Sequence, residues 1–344
     1  MQFNTLTFTR FLAAMMVVIY HHGVNAYPFT EPVFDQIAQN GGTFVSYFYC
    51  LSGFIMTVVY IDAPNNFALK YYKNRFARIY PLYFLTVIFT YIVFTGDRIK
   101  EIPNLIYNIF AIQSWLPGRQ LSLNGVGWSV SAEIFFYLLF PVILLFLRKN
   151  KRILNLVLVG SFLVIQFGVL IYTQSSEYNF TQKFLYYNPL LQLSGFLAGI
   201  YTAVIFLKNP SKANYDLWIL ACIAMWIVII YFGKYIYIKN GLLALIFCPM
   251  IYFIAKNRSV LNDFFSSRFF VFLGDISFGI YILQTIVFKI YFTVLYHLGI
   301  SSAEQAAHSG YFYLYCFLLI IVSALVYYVI EKPARQKLRA AFKS

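Results

Sequence analysis

Charge is scarce in this 344-residue chain: Asp, Glu, Lys and Arg together make up 11% of it, where soluble domains carry about 25%. Acidic side chains are scarcer still, 12 Asp and Glu against 26 Lys and Arg, giving a net charge of +14. Cysteine occurs four times, at Cys50, Cys222, Cys248 and Cys316, with no CxxC pair and no His at metal-ligand spacing. Neither a disulfide nor a structural metal is expected. There is no internal repeat, low-complexity stretch or polar linker, so one domain covering 1–344 is expected. What fills the chain instead is apolar: 61% hydrophobic residues, 38 Phe, 30 Tyr and a mean hydropathy of +0.70. Water is therefore not its main solvent. In hydrocarbon every backbone amide must find a partner within its own helix or in a closed barrel. These apolar runs are too long and too unalternating for barrel strands, which leaves an all-α, polytopic membrane protein.

Runs long enough to span lie near 7–25, 41–61, 79–96, 127–147, 153–172, 190–207, 216–232, 240–255, 270–296 and 312–331, at about 20 residues per crossing. About ten transmembrane helices are expected. Segment 103–116 is apolar too, but it is short and bounded by Pro103 and Pro117, which reads as an interfacial or re-entrant piece. The +14 charge would suggest nucleic acid in a soluble protein, but here the cations occupy short loops between apolar runs, so no nucleic-acid partner is expected. Alternating the loops puts 19 of the 26 Lys and Arg on one face and six on the other, with Lys289 inside the ninth run. The positive-inside rule then makes both termini cytoplasmic. Arg10, the apolar run 11–20 and Val24-Asn25-Ala26 together resemble a secretory signal. The two histidines closing that run and the nine hydrophobic segments after it favour retention.

Ionisable side chains inside spans are costly unless they face water or protein, which makes each one a functional candidate. The candidates are Arg10, His21, His22, Glu133 and Lys289, with Asp275 and Glu331. Arg10 and His21 are eleven residues apart, and eleven steps of 100° return to within about 20° of the starting direction, about 16 Å further along the axis. They share a face, a cation at one end and an imidazole past mid-membrane, a separation comparable to the reach of a pantetheine arm. His22 is rotated by about 100° and suits packing. Arg75 and Arg78, three apart, share a face at the same end as Arg10, a set suited to forked contacts with phosphates. Topological anchoring explains that pair about as well. In GVGWSVSAEIFFYLLFP, Ser129 and Glu133 share a face and Trp128 sits at the rim. A carboxylate at that depth is suited to orient His21, tune its basicity or touch a substrate hydroxyl, and a purely structural role for it, or for a hydrogen-bonded His21, is the plainer alternative.

At these residues the chain resembles the acyltransferase 3 family, membrane enzymes that O-acetylate bacterial surface polysaccharides. RFLAAMMVVIYHH looks like its first helix, YCLSGFIM like its second-helix SGF element and RFARIYPLY like its Arg-x-x-Arg motif. GWSVSAEIFFYLLFP resembles its Trp-Ser-x-Ser-x-Glu stretch, and LGDISFGIYIL and YYVIEKP resemble two weaker elements. The ordered set runs from Arg10 to Pro333. The resemblance implies His21 as catalytic, with Arg10, Arg75 and Arg78 holding acetyl-CoA as acyl donor; Glu133 is expected to take part in catalysis with His21, and Trp128 and Ser129 to meet the substrate. The resemblance also implies a multi-pass protein of the inner (plasma) membrane, among membrane lipid, whose acceptor is a glycan or lipid-linked glycan such as lipopolysaccharide O-antigen or exopolysaccharide. Gln284 stands where many members carry His after the Ser277 and Tyr281 pattern, so a proton-relay role does not carry over to that position. A transporter or flippase of a polar or lipid-linked substrate, which also needs many helices and mid-membrane polar groups, is the alternative.

Overall fold

A computed structural model of the chain describes residues 3–149, 180–209, 211–232, 242–301 and 308–341, with positions 160, 164 and 304. The run at 153–172 lies outside the described residues apart from two isolated positions. Among the described residues every regular element is helical, and the only bridge pairs Ala213 with Asn257. In chain order these are α1 (Asn4–His22), α2 (Pro32–Gln39), α3 (Phe44–Tyr60), α4 (Ala68–Phe94), α5 (Ile102–Ile109) and α6 (Gly127–Lys149). After them come α7 (Phe180–Tyr187), α8 (Pro189–Lys208), α9 (Asp216–Phe232), α10 (Ala244–Lys256) and α11 (Val260–Phe265). The chain closes with α12 (Arg268–Asp275), α13 (Ser277–His297), α14 (Ser309–Val326), a π-helical turn (Tyr327–Glu331) and α15 (Lys332–Ala341).

Six helical stretches among the described residues are long and apolar enough to cross a bilayer. They are Pro32–Tyr60, Ala68–Phe94, Gly127–Lys149, Phe184–Lys208, Ser277–His297 and Ser309–Leu338. The seventh and eighth expected runs form shorter apolar helices, Asp216–Tyr231 and Ala244–Lys256, and α1 is 19 residues long. Segment 103–116 forms α5 and a 3₁₀ turn at Gln113–Trp115. Eight residues reach only about 12 Å, well short of the hydrocarbon thickness.

Two expected runs are broken, each for a local reason. The run at 270–296 divides at Ile276 into α12 and α13. Gly274 lies so close to α1 that a Cβ there would sit 2.0 Å from the Thr7 carbonyl oxygen, and the Ser277 hydroxyl donates back to Gly274 O at 2.7 Å. The run at 312–331 widens into the π turn before α15, the kind of bulge that re-aims side chains.

The core lies on both sides of α1 and α3. On one side α1, α3, α4, α6, α13 and α14 share a cluster around Val17, Tyr49, Tyr83, Phe136 and Tyr315. On the other, α1 and α3 meet α8, α9 and α10 through Ala13, Tyr47, Phe54 and Phe247. The tightest joint is α3 on α8. A Cβ on Gly53 would lie 2.1 Å from Phe196 O, and one on Gly199 would lie 2.0 Å from Cys50 O. Small residues allow such approaches where lipid offers no hydrophobic drive to association, and here they set the depth at which Ser52 meets α6.

Candidate functional site

Packing of α1, α3, α4, α6 and α13 leaves a cavity of about 330 Å³ that also reaches the π turn and α15. Arg10 enters it from α1, Arg75 and Arg78 from α4, and Ser129 and Glu133 from α6, so five of the expected site residues share one space. Three further ionisable groups join them: Asp275 at the end of α12, Glu331 in the π turn and Arg335 on α15. Among the described residues the only ion pair is Lys100 with Asp97, 3.2 Å apart at the surface. Four arginines and three carboxylates therefore line one cavity without any of them touching an opposite charge within 4 Å. Nε of Arg75, Nε of Arg335 and Oε1 of Glu331 are buried with no hydrogen-bond partner. Isolated buried cations are expensive. Four half-buried guanidinium groups around one space are chemically suited to an anion with several oxygens such as phosphate. The Arg75 guanidinium also lies over the Tyr137 ring, 5.7 Å from its centroid, held by cation–π attraction while its Nε has no hydrogen-bond partner.

Glu133 is held from two sides. Ser52 Oγ donates to its Oε1 at 2.6 Å, and the Tyr137 hydroxyl, one turn on, donates to the same oxygen. Ser129 Oγ and the Tyr281 hydroxyl are hydrogen-bonded at 2.6 Å and both face the cavity. The entry to α6 is fixed by carboxamides: Gln113 Nε2 donates to Gly127 O at 3.1 Å and to Tyr83 OH at 2.9 Å. Asn124 Nδ2 reaches Ile282 O on α13 at 3.0 Å. The short apolar segment before α6 is thus the brace of the site.

His21 does not line this cavity; it lies one turn of α13 beyond it. Tyr281 is in the cavity wall, and Gln284, three residues later, places Oε1 3.0 Å from His21 Nδ1. The His21 ring itself remains accessible. Of the roles open to Glu133, a direct contact to His21 is not seen: the carboxylate accepts from Ser52 and Tyr137, and the imidazole meets Gln284. His22 instead stacks on Phe288 at 4.1 Å and meets the Tyr315 ring edge-on at 5.6 Å. Trp128 is 6% exposed and packs on Tyr187 at 4.9 Å and Tyr186 at 5.7 Å rather than facing the arginines. Sequence reasoning counted Arg335 only as a loop cation and Gln284 only as a departure from a pattern.

At the opposite ends of α4 and α13 a second cavity, of about 770 Å³, is lined by Thr90, Asn104, Gln120, Glu101 and Lys289 among others. Lys289 lies over the Phe94 ring at 4.9 Å. Buried Thr90 Oγ1 and Gln120 Nε2 have no hydrogen-bond partner. Along α13 the order is then Ser277 and Tyr281 in the first cavity, Gln284 at His21, and Lys289 in the second.

A family model described as "Acyltransferase domain" matches residues 3–328. "Acyltransferase MdmB" of Streptomyces mycarofaciens is 29% identical over 156 residues, 42% of this chain and 40% of that protein. "Putative acetyltransferase ORF330" of Acidianus two-tailed virus is 26% identical over 253 residues, 70% of this chain and 71% of that one. "Nodulation protein 10" of Rhizobium leguminosarum bv. viciae is 25% identical over 219 residues, 56% of this chain and 55% of that one. The match thus spans less than half the length of the first of these relatives. No solved structure matches.

Proposed function

Because the chain belongs to the acyltransferase 3 family, whose model matches residues 3–328, we propose that it is a membrane O-acyltransferase. It moves an acyl group, most simply acetyl, from acyl-CoA to a hydroxyl of a cell-surface or envelope carbohydrate. The observation that carries this reading is the first cavity: Arg10, Arg75, Arg78 and Arg335 around one space, none of them paired with a carboxylate. Coenzyme A presents a phosphate-rich head and a long uncharged arm, and the basic end of the bundle supplies a matching cluster of forked donors. The excess of loop cations at that end makes it the cytoplasmic face, where acyl-CoA is found. The second cavity supports entry of the acceptor from the other face, its unpartnered amide and hydroxyl groups suiting a ligand rich in hydroxyls.

In the reaction, His21 Nε2 takes the proton of the acceptor hydroxyl as its oxygen attacks the thioester carbonyl. The C–S bond then breaks, and the leaving thiolate of coenzyme A takes up a proton. The Ser129 and Tyr281 hydroxyls line the arginine cavity and would serve the oxyanion by turning from each other and from Val126 O, to which both reach. Glu133, held by Ser52 and Tyr137, supplies the one carboxylate at mid-helix depth against the arginine field.

Binding of acetyl-CoA to purified protein tests the reading. Arg75→Ala and Arg78→Ala should each weaken it by about 10-fold or more, with Lys replacements rescuing only in part, since a point charge replaces a fork. Unchanged affinity in both alanine variants on folded protein removes the basis for the donor site. Vesicle uptake of a polar solute with no acyl-CoA present would turn the reading towards transport.

A further inference from the structure

We infer that Gln284 is a positioning residue that locks His21 in the tautomer carrying its proton on Nδ1, so that Nε2 is left as the base. The inference rests on His21 being the general base, and it follows from the chemistry of three contacts. Gln284 is 0% exposed, and one end of its carboxamide lies 2.7 Å from the Tyr281 backbone oxygen. A backbone carbonyl only accepts hydrogen bonds, so the group facing it is the amide nitrogen. The other end, turned to His21 Nδ1 at 3.0 Å, is therefore the carbonyl oxygen. That oxygen also only accepts, so Nδ1 carries the hydrogen. The opposite tautomer would bring two lone pairs together beside a buried carboxamide, where an unmet acceptor is costly.

The backbone around Gln284 is pinned as well: its carbonyl oxygen accepts from the Tyr315 hydroxyl of α14 at 3.0 Å. The carboxamide is thus held by its own helix α13, on a stretch of backbone that α14 pins. A carboxylate in its place would also accept from Nδ1–H, but it would add charge and favour the imidazolium form. A carboxamide directs the ring and leaves its charge state alone. Gln284 does not titrate, so the same tautomer is presented wherever His21 is neutral.

The test uses full-length protein labelled with ¹⁵N-histidine. Four histidines give few signals, and the His21 pair is identified by its loss in His21→Ala. Wild-type His21 is expected to show a protonated Nδ1 and an unprotonated Nε2. Gln284→Met, similar in volume but without an acceptor, should shift the proton to Nε2, whereas Gln284→Glu should keep it on Nδ1. With acetyl-CoA as probe and free thiol release as readout, Gln284→Met should lower kcat about 100-fold, the scale of a misaligned catalytic group, at unchanged KM for acetyl-CoA. Gln284→Glu should recover most of the loss. A wild-type His21 protonated on Nε2 overturns the inference, and so does Gln284→Met with tautomer and kcat unchanged. His21→Ala turning over acetyl-CoA at the wild-type rate would instead sink the base reading, and the tautomer signals would still decide what Gln284 does to the ring.

Discussion

His21 and His22 are neighbours in sequence with different surroundings. His21 is exposed and turns Nδ1 to the Gln284 carboxamide, while His22 stacks on Phe288 and meets Tyr315 edge-on. His21→Ala should lower acyl transfer by about 10²- to 10⁴-fold, the range for loss of a positioned base, with acyl-CoA binding intact. His22→Ala should keep most of its turnover and lose stability instead, since it leaves a gap beside two rings. Equal loss of activity in both, accompanied by loss of folded protein, would make the pair structural. Helical phase already separated the two histidines in the sequence, because eleven residues bring His21 and not His22 back to the Arg10 face. Gln284 and Arg335 were not legible in the same way. Their place depends on how α13 and α15 dock across the bundle, and no spacing along one helix reports a contact 263 residues away.

Among the elements, boundaries that sequence reads well are those set by the chain itself. Pro189 opens α8, where a run from 190 was expected, with the Asn188 side chain accepting from Leu190 N, and Pro103 lies in the first turn of α5. The breaks it misses come from neighbours: α12 ends where Gly274 meets Thr7 of α1, and the π turn sits beside α4 and α13. Hydropathy sees one apolar run in both cases because the residues on either side of a break are equally oily. The α3–α8 joint gives the element-scale prediction. Gly53→Val forces a side chain into the Phe196 carbonyl and should cost about 1–3 kcal/mol or more, read as a lower Tm in detergent. Gly96→Ala, with nothing within 4 Å of the added carbon, should leave Tm nearly unchanged. Equal effects from the two would mean that the close approach does not set the joint.

For the whole molecule, the cation bias and the two cavities give one direction to the protein. Glu304 and the C-terminal Ser344 are separated by the single stretch Ser309–Leu338, which is long enough to cross. Reporter fusions at these two points should therefore report opposite sides, with Ser344 cytoplasmic. Both on one side, or Ser344 outside, would reverse or break the path proposed for acyl-CoA.

The glycine contacts of α3 and α8 also bear on how the protein moves during turnover. At Gly53 and Gly199 the backbones lie too close to admit even a Cβ, so sliding either helix would drive neighbouring side chains into carbonyls, and the pair is expected to act as a rigid strut. An alternating-access machine needs its halves to rock past each other; a strut at the centre leaves small substrates to travel through fixed openings at either end. Freezing the joint should then do little harm. In Gly195→Cys, with Cys248→Ser removing the thiol that neighbours Cys50, the new Cβ would stand 3.7 Å from Cys50 Sγ, near enough for oxidation to link α3 to α8. The linked protein should release thiol from acetyl-CoA at close to the rate of its reduced form, whereas a rocking mechanism would stall and recover only when the link is reduced.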